Sequence, residues 1–288
     1  MFEFCIDPKI IEGFSWWSCY LTTGKHLYFY GSFFVVFALL LVTVPLILIF
    51  AFAGAIARKS SFFPIRWFGI LYTSMVRGVP DIIFFLFVPI ALDQGIEYLR
   101  HKAKCSDWTE SIRQGNDFVV CQAAKMPLGS SDQWVHEAYG FFTAALAFSI
   151  VFGAFAANTI YGALNAVPHN QLETASAYGM SRHQIFIRIQ LPQMWVYALP
   201  GLSNLWMILI KATPLLFLLG VEDIVYWARE LGGSKSERFS SYPHSDWRLG
   251  YFIVLLIFYL ILSWVSEIFF KRLNFKLSKG QATLGSSQ

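Results

Sequence analysis

From Leu27 to Ala57 the chain carries no charged residue, a stretch longer than the roughly 20 apolar residues that cross the hydrocarbon core of a bilayer. No other feature narrows the fold so far. A lipid-facing backbone must satisfy its own hydrogen bonds, and an apolar run of this length without strict alternation does so as a helix. Its excess length implies tilt or a short interfacial lead-in, and Pro45 marks a kink. Four further stretches qualify: Trp67 to Leu92, interrupted by Arg77 and Asp81; Ala138 to Leu164; Trp195 to Leu219, with Lys211 inside it; and Leu249 to Phe270. The expected fold is all-α and integral to a membrane, with about five spans and the termini on opposite sides. Composition agrees, since 56% hydrophobic and 14% charged residues in 288 exclude an ordinary water-soluble domain.

Lys and Arg are retained on the cytoplasmic side of short loops. The 58–66 loop, the 165–192 loop and the tail after Phe270 hold Arg58, Lys59, Arg66, Arg182, Arg188, Lys271, Arg272, Lys276 and Lys279, with Glu173 the only acid. In segments 1–28, 93–137 and 221–248 acids outnumber bases. The N-terminus is therefore expected outside and the C-terminus in the cytoplasm. Residues 1–28, with Trp16, Trp17, Tyr20 and Tyr28, form an outer interfacial segment; 29–272 is the transmembrane domain; 273–288 is a cytoplasmic tail. The acidic start (Glu3, Asp7, Glu12) does not resemble a cleavable signal peptide, so the first span acts as its own insertion signal.

Residues 93–137 are rich in Asp, Lys, Gln and Ser, with Pro127 and Gly129 as breakers, and form an outer-side insertion too long for a turn. Cys5, Cys19, Cys105 and Cys121 all fall on the outer side, where oxidation is permitted. Of the three possible pairings, Cys5 with Cys19 and Cys105 with Cys121 closes the shortest loops; unpaired thiols are the other reading. No Cys and His stand at metal-ligand spacing, and no metal is expected.

Residues 167–192 read VPHNQLETASAYGMSRHQIFIRIQLP, two short helices around one glycine. Asn170 can cap the first, with Glu173 reaching back and facing the positive end of the helix dipole. Gly179 fits the left-handed residue that closes it. Ser181 and Gln184 form a capping box for the second helix, and Pro192 is expected to stop it. Thr174, Ala175, Ser176 and Ala177 are small enough for close approach by a partner, and Ile185, Phe186 and Ile189 make an apolar stripe, a pattern suited to docking in a groove. An ordinary capped loop is the plainer alternative.

This loop resembles the EAA loop of bacterial ABC importer permeases, whose pattern is Glu-Ala-Ala, then Gly, then hydrophobic-x-Leu-Pro. Here it is Glu173-Thr174-Ala175, Gly179 and Ile189-Gln190-Leu191-Pro192, with Thr174 in place of Ala. The segments Arg77-Gly78-Val79-Pro80-Asp81, Ala198 to Asn204, Lys211-Ala212-Thr213-Pro214-Leu215 and Leu219 to Asp223 are similar to the polar amino-acid branch, the permeases for histidine, lysine, arginine, ornithine and opines. The similarity covers roughly residues 30–92 and 138–272. It implies a type I importer permease fold in a bacterial inner membrane. The expected partners are a periplasmic amino-acid-binding protein, a second permease subunit (a homologue or a copy) and a cytoplasmic ABC ATPase dimer. The resemblance also makes Glu173, Thr174, Ala175, Gly179, Ser181, Ile185, Phe186, Leu191 and Pro192 the ATPase-coupling set. No catalytic residue, cofactor or nucleic acid is implied, and the chain contains no G-x-x-x-x-G-K-[ST] loop; Gly232-Gly233-Ser234-Lys235 has the wrong spacing.

Charged residues within spans are functional candidates. Arg77 and Asp81 flank Gly78 and Pro80, which can interrupt a helix where backbone lines a cavity. Asp81 can meet an ammonium group of an amino acid while Arg77 or Lys211 faces its carboxylate; an Arg77–Asp81 pair that only fixes packing is an equal alternative. Lys211 is followed by Ala212 where members of the family often carry an acid. Thr213 can bond substrate or its own helix backbone, Asn158 and Asn204 can bridge spans, and Glu222 and Asp223 are expected in solvent or against the delivering protein. Trp195, Trp247 and Trp264 are expected to anchor at the interface. Two other functions are weighed: an ion-coupled secondary amino-acid transporter, disfavoured because no internal repeat is visible, and an intramembrane enzyme, for which no Ser/His, HExxH or paired-Asp arrangement exists in the spans.

Overall fold

A computed structural model of the chain describes residue 5 and residues 13–115, 117–127, 129–219, 221–238 and 240–279; the side chains of Val76, Arg77, Asp81, Leu218 and Leu219 are outside that description. The helices are α1 (Gly13–Leu21), α2 (Gly24–Lys59), α3 (Phe63–Gly78), α4 (Asp81–Lys104), α5 (Gln133–Ala166), α6 (His169–Ala177), α7 (Arg182–Ile185), α8 (Leu191–Ala212), α9 (Ile224–Gly232) and α10 (Arg248–Ser278). Among the described residues five helical stretches are long and apolar enough to cross a bilayer: Gly24–Lys59, Ile82–Lys104, Gln133–Ala166, Arg182–Phe217 and Arg248–Ser278. Their large side chains are widely exposed, as with Phe34 and Leu41 on α2 and Leu256 and Leu260 on α10, the condition of a helix whose surroundings are lipid.

Three boundaries differ from those expected. The second span is not one helix from Trp67 to Leu92. It breaks after Gly78, where Val79 is extended (φ −130°, ψ 138°), because Pro80 forces the preceding residue out of the α region. The apolar crossing is then carried by α4, which runs on to Lys104 through residues assigned to the insertion. Only 105–132 of the 93–137 segment lies outside the long helices. Finally, Pro192 does not end a helix. Residues Phe186–Gln190 form a π-helical turn, and the wider turn makes room for the proline ring and the carbonyls its missing N–H leaves unbonded, so α7 continues into α8.

The chain divides into two compact units. One contains residues up to Thr43, Asp81–Phe148 and Thr213–Leu256. Its N-terminal end is held by aromatic rings: Trp16 stacks on Tyr20 with centroids 5.2 Å apart, Trp17 on Trp247 at 5.0 Å, and the Cys5–Cys19 disulfide packs with Tyr20 and Tyr242. Trp247 is thus a packing residue. His26 links the Thr23 hydroxyl (2.8 Å) to the Tyr251 hydroxyl (2.7 Å). The insertion is tied to the last turns of α4: Cys105 is bonded to Cys121, the Cys121 amide donates to His101 Nδ1 (3.1 Å), and Arg100 donates to the carbonyls of Ala123 and Ala124. Between the cysteines a two-stranded ladder pairs β1 (Arg113–Gln114) with β2 (Asp117–Phe118).

The other unit contains Val44–Pro80, Ser149–Ala212 and the chain from Ile257. Here α2, α3 and α5 interlock through polar bridges. Asn158 accepts from Arg58 (2.9 Å) and donates to the carbonyl of Thr73 (2.8 Å), and the Tyr72 hydroxyl donates to the carbonyl of Ile150 (2.6 Å). The α2–α3 approach is close enough that a Cβ at Gly69 would lie 2.6 Å from the backbone nitrogen of Arg58, so only glycine fits there.

Candidate functional site

The 169–193 region is built by local rules. After α6, Gly179 adopts φ +79°; its amide donates to the carbonyl of Ser176 (2.9 Å) and that of Met180 to Ala175 (3.1 Å). These two bonds complete a Schellman closure, which a left-handed glycine permits at low cost. Two residues after Gly179, the Ser181 amide donates to Gln184 Oε1 (2.9 Å) while the Gln184 amide donates to Ser181 Oγ (3.3 Å), a reciprocal capping box. The start of α6 departs from expectation. Helix geometry begins at His169 after Pro168, without a side-chain cap. Asn170 Oδ1 instead accepts from the next amide, Gln171, and Glu173 pairs with His169 Nδ1 at 3.0 Å one turn back. A proline at the cap position fixes φ and pre-empts the asparagine.

The pair of short helices has an inner and an outer side. Ala175 is buried, while Glu173, Thr174, Ser176, Ala177, Tyr178 and Ser181 are exposed, Tyr178 to 86%. Gln190 is buried and donates to the carbonyl of Leu164 (3.0 Å), and Gln193 bonds Gln171 (2.6 Å). These bonds fasten the turn to the end of α5 and the start of α8. Ile185, Phe186 and Leu191 are half-buried, and Pro192 is exposed. A shallow depression lies beside Asn170, Thr174, Tyr178, Met180 and Ile189. The surface offered is small-residue, polar and rigidly capped, with one projecting aromatic ring.

The in-span candidates are placed less fully. Gly78 closes α3 and Asp81 opens α4, so the Arg77–Asp81 segment does flank a helix break; the side chains of Arg77 and Asp81 lie outside the described residues. Lys211 is exposed in the last turn of α8, and Thr213 is fully buried at the head of a 3-10 segment, Thr213–Leu219. Asn204 is exposed.

Known proteins match the same ground. Residues 51–279 match the family described as binding-protein-dependent transport system inner membrane component. The chain belongs to that family. This inner-membrane component is similar to the arginine ABC transporter permease protein ArtQ of Escherichia coli K12, 28% identical over 225 residues, 78% of this chain and 84% of ArtQ. It is 32% identical over 198 residues to the histidine/lysine/arginine/ornithine transport system permease protein HisQ of the same organism (68% and 69% of the two chains). The octopine transport system permease protein OccQ of Rhizobium radiobacter is 28% identical over 233 residues (81% and 83%). A chain from the crystal structure of an amino acid ABC transporter with histidines superposes with a TM-score of 0.56 over 85% of this permease component and 93% of that chain, at 17% identity, and shows the shared type I permease fold.

Several residues of this permease component escaped sequence reasoning. Asp223 is not solvated: it is fully buried and caps α9, accepting from the amides of Val225 (3.1 Å) and Tyr226 (2.9 Å) with one oxygen. An Asp three residues before Tyr226 is a visible N-cap signal, but its burial is not. His169, the partner of Glu173 at i−4, was legible from spacing alone. Glu137 and Glu222, distant in sequence, line one cavity with Trp134, Tyr28 and Trp227.

Proposed function

We propose that this permease component imports basic amino acids or closely related opines, driven by a separate ATPase that engages residues 170–191. The observation that carries the reading is the exposed, doubly capped helix pair: Gly179 and the Ser181–Gln184 box fix its shape, and Glu173, Thr174, Ser176, Ala177 and Tyr178 are left uncovered. A rigid convex element of this kind transmits movement into α8 through the continuous α7–α8 helix. The ArtQ, HisQ and OccQ relatives support the substrate class. The absence of a phosphate-binding loop in the sequence supports an external source of hydrolysis. A binding protein outside delivers substrate, a second permease chain completes the path, and Asp81, Arg77, Lys211 and Thr213 line it. The N-terminus lies outside and the C-terminus in the cytoplasm, as the Lys/Arg distribution favours.

The test is uptake of labelled arginine into vesicles containing ATP, with the full assembly and with this chain alone. Uptake only by the assembly is expected; uptake by the chain alone would establish the ion-coupled alternative. In the assembly Gly179→Val forces a β-branched residue to φ +79°, a strain of about 1–2 kcal/mol. It is expected to lower coupled uptake at least tenfold while membrane insertion is unchanged. Normal coupled uptake in that variant removes the docking role.

A further inference from the structure

An open cavity of about 520 Å³ lies among the first turns of α2, the first turns of α5 and the chain leading into α9. All its walls belong to one compact unit. Its size is that of a small-molecule site. Two carboxylates reach it from separate elements, Glu137 on α5 and Glu222 before α9, and neither has an ion pair or hydrogen bond among the described residues. Glu230 on α9, which does not line the cavity, is by contrast taken by Lys25 and Lys235. Burial, and then the charge of Glu137, holds the Glu222 carboxyl above its usual range. Two carboxylates thus share one cavity, and among the described residues its wall holds His136 but no Lys or Arg.

The remaining wall is aromatic. Tyr28 stacks on Trp227 with centroids 5.4 Å apart and planes 9° from parallel, leaving Tyr28 66% exposed, and Trp134 is 67% exposed. An aromatic face beside carboxylates favours an organic cation, which gains both a charge-assisted hydrogen bond and a cation–π contact. A chelated metal fits less well. Glu137, Glu222 and His136 do not gather into a compact ligand set; among the described residues the one such group is His101, Cys105 and Cys121, and its two cysteines are bonded to each other.

We infer that this cavity is a receiving site for a basic side chain, in which Glu137 and Glu222 grip a guanidinium or ammonium group against the ring of Tyr28 before the substrate enters the spans. The inference rests on the proposed outer placement of the α2 and α5 N-termini and on the proposed basic substrate. It adds a site distinct from the in-span residues Arg77, Asp81, Lys211 and Thr213.

The experiment is equilibrium binding of labelled L-arginine, with L-glutamine as the uncharged comparison, to the permease–ATPase complex in nanodiscs, without the binding protein and without ATP. Wild type is expected to bind arginine in preference to glutamine. The double variant Glu137→Gln, Glu222→Gln is expected to lose at least tenfold in arginine affinity with glutamine binding unmoved. Glu137→Asp with Glu222→Asp, which keeps both charges, is expected to recover part of the loss, and this arm separates charge from misfolding. Equal arginine affinity in wild type and the Gln variant, or no arginine binding by wild type, overturns the inference. Loss of the broader import reading would appear separately, as absent ATP-driven arginine uptake whatever the binding result.

Discussion

Asp223 shows how one side chain can make a helix start in a membrane protein sensitive to pH. One carboxylate oxygen caps α9, and the other has no hydrogen-bond partner among the described residues. Burial is the largest influence and raises the pKa from 3.8 to about 7, against the opposing pull of the Tyr226 and Val225 amides. Because the folded state holds its proton more tightly than the unfolded chain, the contribution to stability is complete below about pH 4 and is lost as pH rises through 7. The change is on the order of 2–4 kcal/mol. Hydrogen exchange at the Val225 and Tyr226 amides, corrected for intrinsic rate, should therefore be better protected at pH 5 than at pH 8. Asp223→Asn, which keeps an acceptor for the cap and carries no charge, should remove the difference. The cap itself could be found in the sequence, since Asp followed by a helix is a local signal. Its burial could not, because that depends on which distant elements fold over it.

At the scale of the element, the same division between local and distant causes decides what could be foreseen in the 165–192 loop. The Schellman glycine and the Ser181–Gln184 box are relations between residues three to five apart and were legible. The start of α6 was not assigned correctly, because Pro168 and Asn170 both compete to begin it and φ fixation prevailed. Pro192 was misjudged for a related reason: a proline breaks an α-helix, but a π-helical turn just ahead of it absorbs the disruption. The insertion after α4 depends on a different device. Its Cys105–Cys121 bond closes a separation of 16 residues, which the chain-entropy estimate values at about 3 kcal/mol. Cys105→Ser with Cys121→Ser should leave the five spans inserted while trypsin cuts at Arg113 many times faster. Unaltered cleavage would mean that the Arg100 and His101 contacts hold the insertion alone.

For the whole molecule, the five spans and the position of the helix break were readable because bilayer thickness and proline geometry act directly on sequence. The true ends of α4 were less so, since Asp93, Glu97 and Arg100 read as loop residues yet continue the helix beyond its apolar portion. The topology yields one direct check. Both cysteine pairs are bonded, so a new thiol stands on a clean background. In intact spheroplasts a membrane-impermeant maleimide should label Ser111→Cys and spare Tyr178→Cys, and lysis should expose the second; the reverse pattern would invert the topology. The final span, Arg248–Ser278, has only 11% of its apolar window inside the protein. Such a helix takes its solvation almost entirely from fats or neighbouring subunits. Delipidation strips away its surroundings first.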